Sequence, residues 1–351
     1  MLADLNAWTN EASFEVLDLQ ANKCSKKVCV ASINTTHFQK FTAIFAMKGP
    51  LPNVIVTCTA RKTLPVSVEV GSLTNTYPDQ RFDEWTRKLE PSSSTVKTAK
   101  DLYAGSSWSP VREIIDSARA NVWIASAGYG LITPATSILS YSATFTRNHP
   151  DFVGADDVKN GAQNWWSKLT ARNIKREPIS SISELVRQNP DIPLIASLSE
   201  DYWAALKSDF EEAARIVRSP ENMVIVAAGV SEKGNLGGHF LPCSARLERE
   251  LGRGRSALNV RTLAHILKKY PYLVGKRELF ETFQQLLSSL DDYPYPQRSQ
   301  TSDEQVVEFI RRRKLDCPKV SHSSLLREFR AGGNACEQSR FRELFKQTNP
   351  I

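Results

Sequence analysis

The chain has 351 residues, of which 41% are hydrophobic, and a formal net charge of +7. This length exceeds that of one average domain, so we expect a core of roughly 200 residues with one or two appendages. The sequence has no apolar run of about 18 residues, and its first residues lack the basic and apolar regions of a secretory signal, so we expect a soluble, cytoplasmic protein with no membrane partner.

Residues 1–50 predict a small β-rich extension. The segments FEVLDLQ and KVCVASI alternate between apolar and polar residues, as the two strands of a hairpin do. The next apolar segment, FQKFTAIFAM, is compatible with a strand or with a helix.

Four short apolar runs then predict buried parallel strands, at residues 53–60, 121–128, 192–199 and 222–229. Helical periodicity fills the segments between them, as in residues 109–120 and 200–218. Strands that alternate with helices form a mostly parallel sheet covered on both faces, so the predicted fold class is α/β, a three-layer sandwich.

The carboxyl ends of these strands are where we expect a ligand to bind, because such sheets bind ligands in the crevice beyond that edge. The loops in question follow Cys58, Ser126, Ser197 and Gly229.

Two polar segments rich in proline and serine predict loops or linkers, at residues 91–98 and 291–304. The second is the better domain boundary. The predicted organisation is therefore an extension (1–50), an α/β core with a basic helical end (51–290), and a linker with a C-terminal helical region (291–351).

The segment GRGRSALNVR, residues 252–261, resembles a phosphate-binding loop. Arg253 and Arg255 lie on glycines before a helix that we expect to begin near Ser256. A helix N-terminus flanked by arginines suits contact with a DNA backbone. A flexible charged loop is the alternative.

The last 50 residues predict a helix-turn-helix or winged-helix pattern. A helix over 303–314 precedes a second that Ser321 or Ser323 caps and that ends at Arg330. Residues 332–334 supply a turn, and a third helix spans 336–346. On the third helix the outward side chains suit base edges and phosphates, among them those of Gln338, Arg340 and Arg342. The upstream basic run of Arg311, Arg312 and Arg313 further favours nucleic acid. The alternative is a helical hairpin with a solvated charged face.

The charge excess lies entirely in the C-terminal third. Residues 1–240 contain 25 lysines and arginines and 25 acidic residues, whereas residues 241–351 contain 20 and 13. A basic region beside a neutral one indicates a polyanionic partner, and without an amphipathic anchor nucleic acid is favoured over membrane. A solubilising surface is the alternative.

The six cysteines are scattered, with no Cys-x-x-Cys pair and no cysteine and histidine cluster at zinc spacing. We therefore expect reduced thiols, no metal site and no cofactor.

A set of motifs between residue 53 and about residue 145 resembles a known family. The motifs are IVTCTARKTLPVS, AKDLYAGSSWSPVREI, WIASAGYGLITP and SYSATF. Their order is similar to that of the YaaA-type peroxide-stress DNA-binding family, and CTARK resembles an element of the uracil-DNA-glycosylase-like domain of archaeosine synthase. Residues 1–50 and those after about 230 lie outside the resemblance.

The resemblance implies a glycosylase-like α/β sandwich in a lineage associated with DNA or modified nucleobases. A phage-defence DNA glycosylase that excises a bulky modified cytosine, such as a glucosylated hydroxymethylcytosine, fits this description. Two alternatives stay open: a non-catalytic DNA-binding stress or regulatory protein, and a transferase that modifies 7-deazaguanine-type bases.

Hydrolysis of an N-glycosidic bond in duplex DNA needs a flipped base, a pocket that holds it, and an anionic group that stabilises the oxocarbenium-like sugar or positions water. Candidates for stacking on the base are Tyr103, Trp108, Tyr129 and Tyr141, two of which, Trp108 and Tyr129, are alternatively core residues. Candidates for other contacts to substrate are Cys58, Arg61, Lys62, Gly105, Ser106, Ser107, Ser126 and Gly130.

The catalytic carboxylate is left open between Asp101, Asp151 and Asp201, with Glu200 beside the last. The Asp-Pro-Tyr motif of uracil glycosylases is missing because TCTARK occupies its place. His239 is a candidate for hydrogen bonding to the leaving base, and a structural histidine is the alternative.

Overall fold

A computed structural model of the chain describes residues 50–348, apart from 75–76, 91–94, 155–159, 253, 271–275, 292–297 and 319. The β-rich extension predicted for the first 50 residues lies outside the described residues, except for its last residue.

The strands, in chain order, are β1 (Asn53–Thr57), β2 (Val68–Glu69), β3 (Val96–Thr98), β4 (Asn121–Ser126), β5 (Gly130–Ile132), β6 (Ser137–Leu139), β7 (Tyr141–Ser142), β8 (Leu194–Ser197), β9 (Met223–Val226), β10 (Ser299–Gln300) and β11 (Asn334–Ala335).

The helices are α1 (Pro78–Lys88), α2 (Ala99–Leu102), α3 (Ser109–Ser117), α4 (Gly161–Arg172), α5 (Ile182–Gln188), α6 (Glu200–Ile216), α7 (Glu248–Leu251), α8 (Leu258–Lys269), α9 (Lys276–Ser289), α10 (Asp303–Asp316), α11 (His322–Ala331) and α12 (Gln338–Gln347). Short 3-10 helices cover Val70–Ser72, Pro220–Asn222, Gly234–His239, Ala245–Leu247 and Arg255–Ala257.

A central five-stranded sheet has the order β5-β4-β1-β8-β9. The four strands predicted from apolar runs, β1, β4, β8 and β9, are mutually parallel, and β5 runs antiparallel to its neighbour β4. Ile55 of β1 pairs with Trp123 of β4 on one side and with Ala196 of β8 on the other. The prediction of a mixed α/β protein with a mostly parallel sheet is confirmed.

Strands β1, β8 and β9 form where they do because most of their side chains are apolar on both faces of the sheet. All four residues of β8 and of β9 are buried, as are the first four of β1. Such continuous runs are typical of parallel strands covered on both faces. Helix α8 packs against α3 and against β8 and β9, while α6 packs against α4 and α5.

Two small strand pairs lie outside the central sheet. Strand β2 pairs in parallel with β7, and β3 pairs antiparallel with β6. Strand β3 corrects the prediction of a loop over residues 91–98, because Val96–Thr98 finds ladder partners in Ser137–Leu139 that are distant in sequence. Residues 91–94 of that predicted loop lie outside the described residues.

The C-terminal helices have an apolar cluster of their own. Val306, Ile310, Leu325, Phe329 and Phe341 are among its buried members, whereas the larger cluster runs from Val54 to Phe283. The predicted helices over 303–314 and from Ser321 are confirmed. The third begins at Gln338 rather than at Cys336, whose side chain is buried in the cluster. Strand β11 lies between the second and third of these helices.

Candidate site at the carboxyl edge of the sheet

The chain adds strands to the sheet on one side of β1 first and on the other side later. The chain passes from β1 to β4 on one side and later from β8 to β9 on the other, so the ends of β1 and β8 border a crevice. Open α/β sheets bind ligands at this position. Cys58 follows β1, and Tyr202 lies in the first turn of α6 after β8. The Cys58 Sγ and Tyr202 hydroxyl atoms are 2.9 Å apart across the crevice.

A hydrogen-bonded group of side chains, which we call the tyrosine cluster, fills the inner part of the crevice. It consists of Cys58, Tyr103, Ser126, Tyr141 and Tyr202. The Tyr141 hydroxyl lies 2.6 Å from Ser126 Oγ and 2.8 Å from the Tyr103 hydroxyl, and it donates to Cys58 Sγ at 3.4 Å. Burial raises the pKa of all three tyrosines well above 10.0, so these hydroxyls stay neutral.

The aromatic side chains predicted to stack on a base are instead part of the core. Tyr103 and Tyr141 are fully buried, and Trp108 and Tyr129 are only 1% and 2% exposed. Their rings pack edge to face against Tyr141 or Tyr103, and their polar atoms bond within the protein. The Trp108 indole donates to the Lys100 carbonyl, and the Tyr129 hydroxyl accepts from the Leu139 amide.

The turn after β4 also differs from the predicted anion site. Ser126 Oγ accepts hydrogen bonds from the amides of Gly128 and Tyr129, which leaves these amides engaged within the turn. The Trp165 indole donates to the Ala127 carbonyl, and Gly130 supplies the left-handed φ of +82° that starts β5. The turn is thus a structural support for the tyrosine cluster.

The CTARK segment and the loop after α2 lie side by side. Lys62 and Tyr103 form an antiparallel bridge, and the Ala104 amide donates to the Arg61 carbonyl. Gly105, at a φ of +101°, turns the chain beside the aliphatic part of Arg61. Arg61 is exposed, as is Ser106, and Ser107 is partly exposed.

Two of the three candidate aspartates are engaged within the protein. Asp101 accepts from the Thr98 hydroxyl at 2.9 Å and pairs with Arg112 at 3.6 Å, which ties it to the start of α2. Asp151 accepts from the Gly71 amide at 2.9 Å and the Ser142 hydroxyl at 2.6 Å, so each of its oxygens is bonded.

Asp201 is the candidate that faces a cavity. Among the described residues, only the Thr146 hydroxyl donates to its carboxylate, at 2.8 Å. The neighbouring Glu200 accepts from the Ser231 hydroxyl at 2.7 Å. Of the three aspartates, Asp201 is the one that lines this cavity.

The cavity beside Asp201 has a volume of about 400 Å³. It lies beyond the carboxyl ends of β8 and β9, because Val230 and Ser231 line it together with the first turn of α6. Phe145, Phe152 and Trp203 border it, but these residues are at most 8% exposed, so most of the accessible lining is polar. Besides acidic side chains, its hydrogen-bonding groups include those of Asn160, Gln163, Arg147 and Lys207. A cavity of this size with several convergent polar groups can hold a small polar ligand.

Phe145 joins this cavity to the tyrosine cluster. Its ring packs edge to face on that of Tyr202 with 5.0 Å between centroids, and Tyr202 bonds to Cys58. Neither Phe145 nor Tyr202 was predicted as a site residue from the sequence. The sequence does carry a signal for both, because Phe145 ends the SYSATF motif and Tyr202 follows a strand whose carboxyl end was expected to border a ligand.

His239 lies elsewhere. Its Nδ1 is 3.2 Å from the carbonyl oxygen of Met223, the first residue of β9, which places it at the amino end of that strand. Burial lowers the pKa of His239 below its ordinary 6.5. The structure does not bring His239 together with the tyrosine cluster or the cavity.

The predicted DNA-binding arginines fall into two groups. Some are paired: Arg255 lies 3.8 Å from Glu248, Arg313 contacts Glu328 at 2.7 Å, and Arg340 contacts Asp303 at 2.6 Å. Others are exposed, as is Gln338, namely Arg311, Arg312 and Arg342. Arg253 lies outside the described residues.

Fold and site together define a mixed α/β protein with a candidate ligand cavity at the carboxyl edge of a mostly parallel sheet. In the described part of the chain, no helix is long and apolar enough to cross a membrane, and no three metal-binding side chains lie together. The four cysteines described there are free thiols. Comparison of the sequence and structure with protein-family models, curated proteins and solved structures found no match.

Proposed function

We propose that this protein is a DNA N-glycosylase that works without a metal ion and releases a bulky modified base to leave an abasic site. The observation that carries the proposal is the cavity at the carboxyl edge, which combines hydrogen-bonding side chains with the carboxylate of Asp201. The motif resemblance supports the choice of a nucleobase, and a three-layer glycosylase-like sandwich is part of the proposal.

The size and lining of the cavity suit a flipped base. A volume of about 400 Å³ lies within the range of small-molecule sites and leaves room for a base that carries a substituent. The amides of Asn160 and Gln163, which line the cavity, can bond to the edge of a base. Extrusion of the base costs a few kcal/mol, which contacts in the pocket offset.

Asp201 supplies the anionic group in this mechanism. Positive charge develops on the deoxyribose as the bond to the base breaks, and a nearby carboxylate stabilises that charge or orients the attacking water. Thr146 holds one oxygen of Asp201, which fixes the orientation of the carboxylate and leaves the other oxygen to face the sugar.

Duplexes with unmodified, hydroxymethylated and glucosylated cytosines test the proposal. Each is incubated with the full chain and heated in alkali, which breaks the strand at abasic sites. We expect breaks only at a modified base, and a decrease in rate of about 100-fold or more for Asp201→Asn. The matched control is Asp191→Asn, because Asp191 precedes β8 at its amino end and pairs with Arg218.

Intact strands on every duplex would contradict the proposal. If the protein still bound these duplexes in a salt-dependent way, the alternative of a non-catalytic DNA-binding protein would take its place.

A further inference from the structure

The amine of Lys62 is held in a fixed place at the carboxyl end of β1. Its Nζ donates to the carbonyls of Thr59 and Ala60, at 3.2 and 3.3 Å, and lies 4.4 Å from the centroid of the Tyr141 ring. The backbone bridge to Tyr103 fixes the main chain of Lys62 as well. A lysine held by its neighbours loses less freedom when its amine reacts.

Burial also makes the uncharged, nucleophilic form of this amine easier to reach than in an exposed lysine. Burial lowers the pKa of Lys62 below its ordinary 10.5, and nearby Cys58 and Asp151 raise it by less. Desolvation of a lysine is a common way to activate it as a nucleophile. The residue is nevertheless partly exposed at the protein surface.

We propose that the Lys62 amine forms an imine with the C1′ aldehyde of an abasic deoxyribose, which gives the protein a strand-cleaving lyase activity. This inference rests on the proposed function, because the abasic site is the product of base release. It adds a second reaction and a role for a residue outside the cavity.

The chemistry requires no oxidant, reductant or metal. The Lys62 nitrogen attacks C1′, the carbonyl oxygen leaves as water, and a protonated imine forms. The imine acidifies the C2′ hydrogen, which passes as a proton to water. The electron pair left at C2′ expels the 3′ phosphate by cleavage of the C3′–O bond. Hydrolysis of the imine then releases the sugar fragment and regenerates the amine.

Borohydride trapping on DNA that already contains an abasic site tests the inference. Borohydride reduces the imine to a stable amine, which links the full chain covalently to the duplex. We expect the linked peptide to contain Lys62, and we expect Lys62→Met and Lys62→Arg to lose the adduct. The rate of adduct formation should fall as the pH falls, because protonation removes the lone pair of the amine.

Lys175 provides the matched control. It is also partly exposed, lies 5.2 Å from the centroid of the Tyr129 ring, and has a pKa that burial lowers. Lys175→Met should therefore keep the adduct. Thermal unfolding of each variant shows whether the fold is retained, and Lys62→Arg keeps the charge if Lys62→Met unfolds.

An adduct that maps to another lysine, or that forms equally on Lys62→Arg, would overturn the inference. Absence of any adduct from the wild-type chain would do the same. Because the abasic site is made in advance, these outcomes are independent of base release. Base release without an adduct would overturn the inference alone, and an adduct without base release would contradict the proposed function alone.

Discussion

Tyr141 lies at the centre of the tyrosine cluster. Its hydroxyl meets Ser126, Tyr103 and Cys58, and its ring lies beneath the amine of Lys62. These contacts come from three separate segments of the chain. The same burial that removes Tyr141 from contact with a base makes it the support on which the neighbouring residues depend.

Gly128 leaves room for the ring of Tyr141, and Gly128→Ala should disrupt the packing of that ring. A Cβ atom at position 128 would lie 2.5 Å from a carbon of the Tyr141 ring, which is buried and cannot move aside. We expect a loss of about 1–3 kcal/mol in the free energy of unfolding, measured with urea. Gly237→Ala is the control, because its Cβ would lie 3.9 Å from the nearest atom. Equal stability of the two variants would contradict the packing described for Tyr141.

The buried tyrosines predict a loss of stability at alkaline pH. Their pKa values are raised in the folded state, so their contribution is fully present below the unfolded value of 10.0 and is lost as the pH rises above it. Urea unfolding at several pH values should show this decline. The decline should be shallower in Tyr141→Phe. A Tyr77→Phe control should match the wild type, because Tyr77 is 70% exposed.

Helix α6 shows how one element serves two parts of the site. Ser199 caps the helix by accepting from the Tyr202 amide at 3.4 Å, and consecutive side chains in the first turn then point in different directions. Asp201 reaches the cavity, whereas Tyr202 reaches Cys58. A carboxylate and a buried phenol are thus placed by the same turn of helix.

The start of α11 provides a test of capping. The sequence allowed either Ser321 or Ser323 as the cap, and in the structure Ser321 Oγ accepts from the Ser324 amide at 3.2 Å. We expect Ser321→Ala to cost about 1 kcal/mol in the free energy of opening α11, measured by hydrogen exchange. Ser323→Ala should cost far less, since Ser323 contacts the side chain of His322 instead. The reverse order would contradict the assigned cap.

In the molecule as a whole, the basic excess and the candidate cavity belong to different parts of the chain. The cavity is lined by residues between 145 and 232, whereas the excess lies beyond residue 240. The proposed function therefore assigns contact with the DNA backbone to one region and contact with the base to the other.

This division predicts the salt dependence of DNA binding. Arg311 and Arg312 are exposed on α10, so replacing both by glutamine should reduce the slope of log affinity against log salt by about 1.8, since each phosphate that an arginine neutralises contributes ~0.9. Binding titrations at several salt concentrations measure this slope. Replacing Arg87 and Arg172, which are exposed on α1 and α4, should leave it unchanged. Equal effects of the two pairs would indicate binding without a preferred region.

Local patterns in the sequence were enough to locate the main elements of this protein. Apolar runs identified β1, β4, β8 and β9, and three- to four-residue periodicity identified helices such as α3 and α6. The patterns are visible in the sequence because burial of one face of a helix or strand requires apolar residues at regular intervals. The distribution of charged residues along the chain can also be counted directly from the sequence.

Which residues meet at the site depends instead on the packing of the whole chain. Cys58 and Tyr202 are 144 residues apart in the chain, and no local pattern indicates that their side chains bond. Exposure is likewise a property of the packed molecule, which is why Tyr103 and Tyr141 could be predicted near the crevice but not recognised as buried. Asp201 stands apart from the other two candidate aspartates for the same reason, because each carboxylate takes its role from partners that folding brings to it.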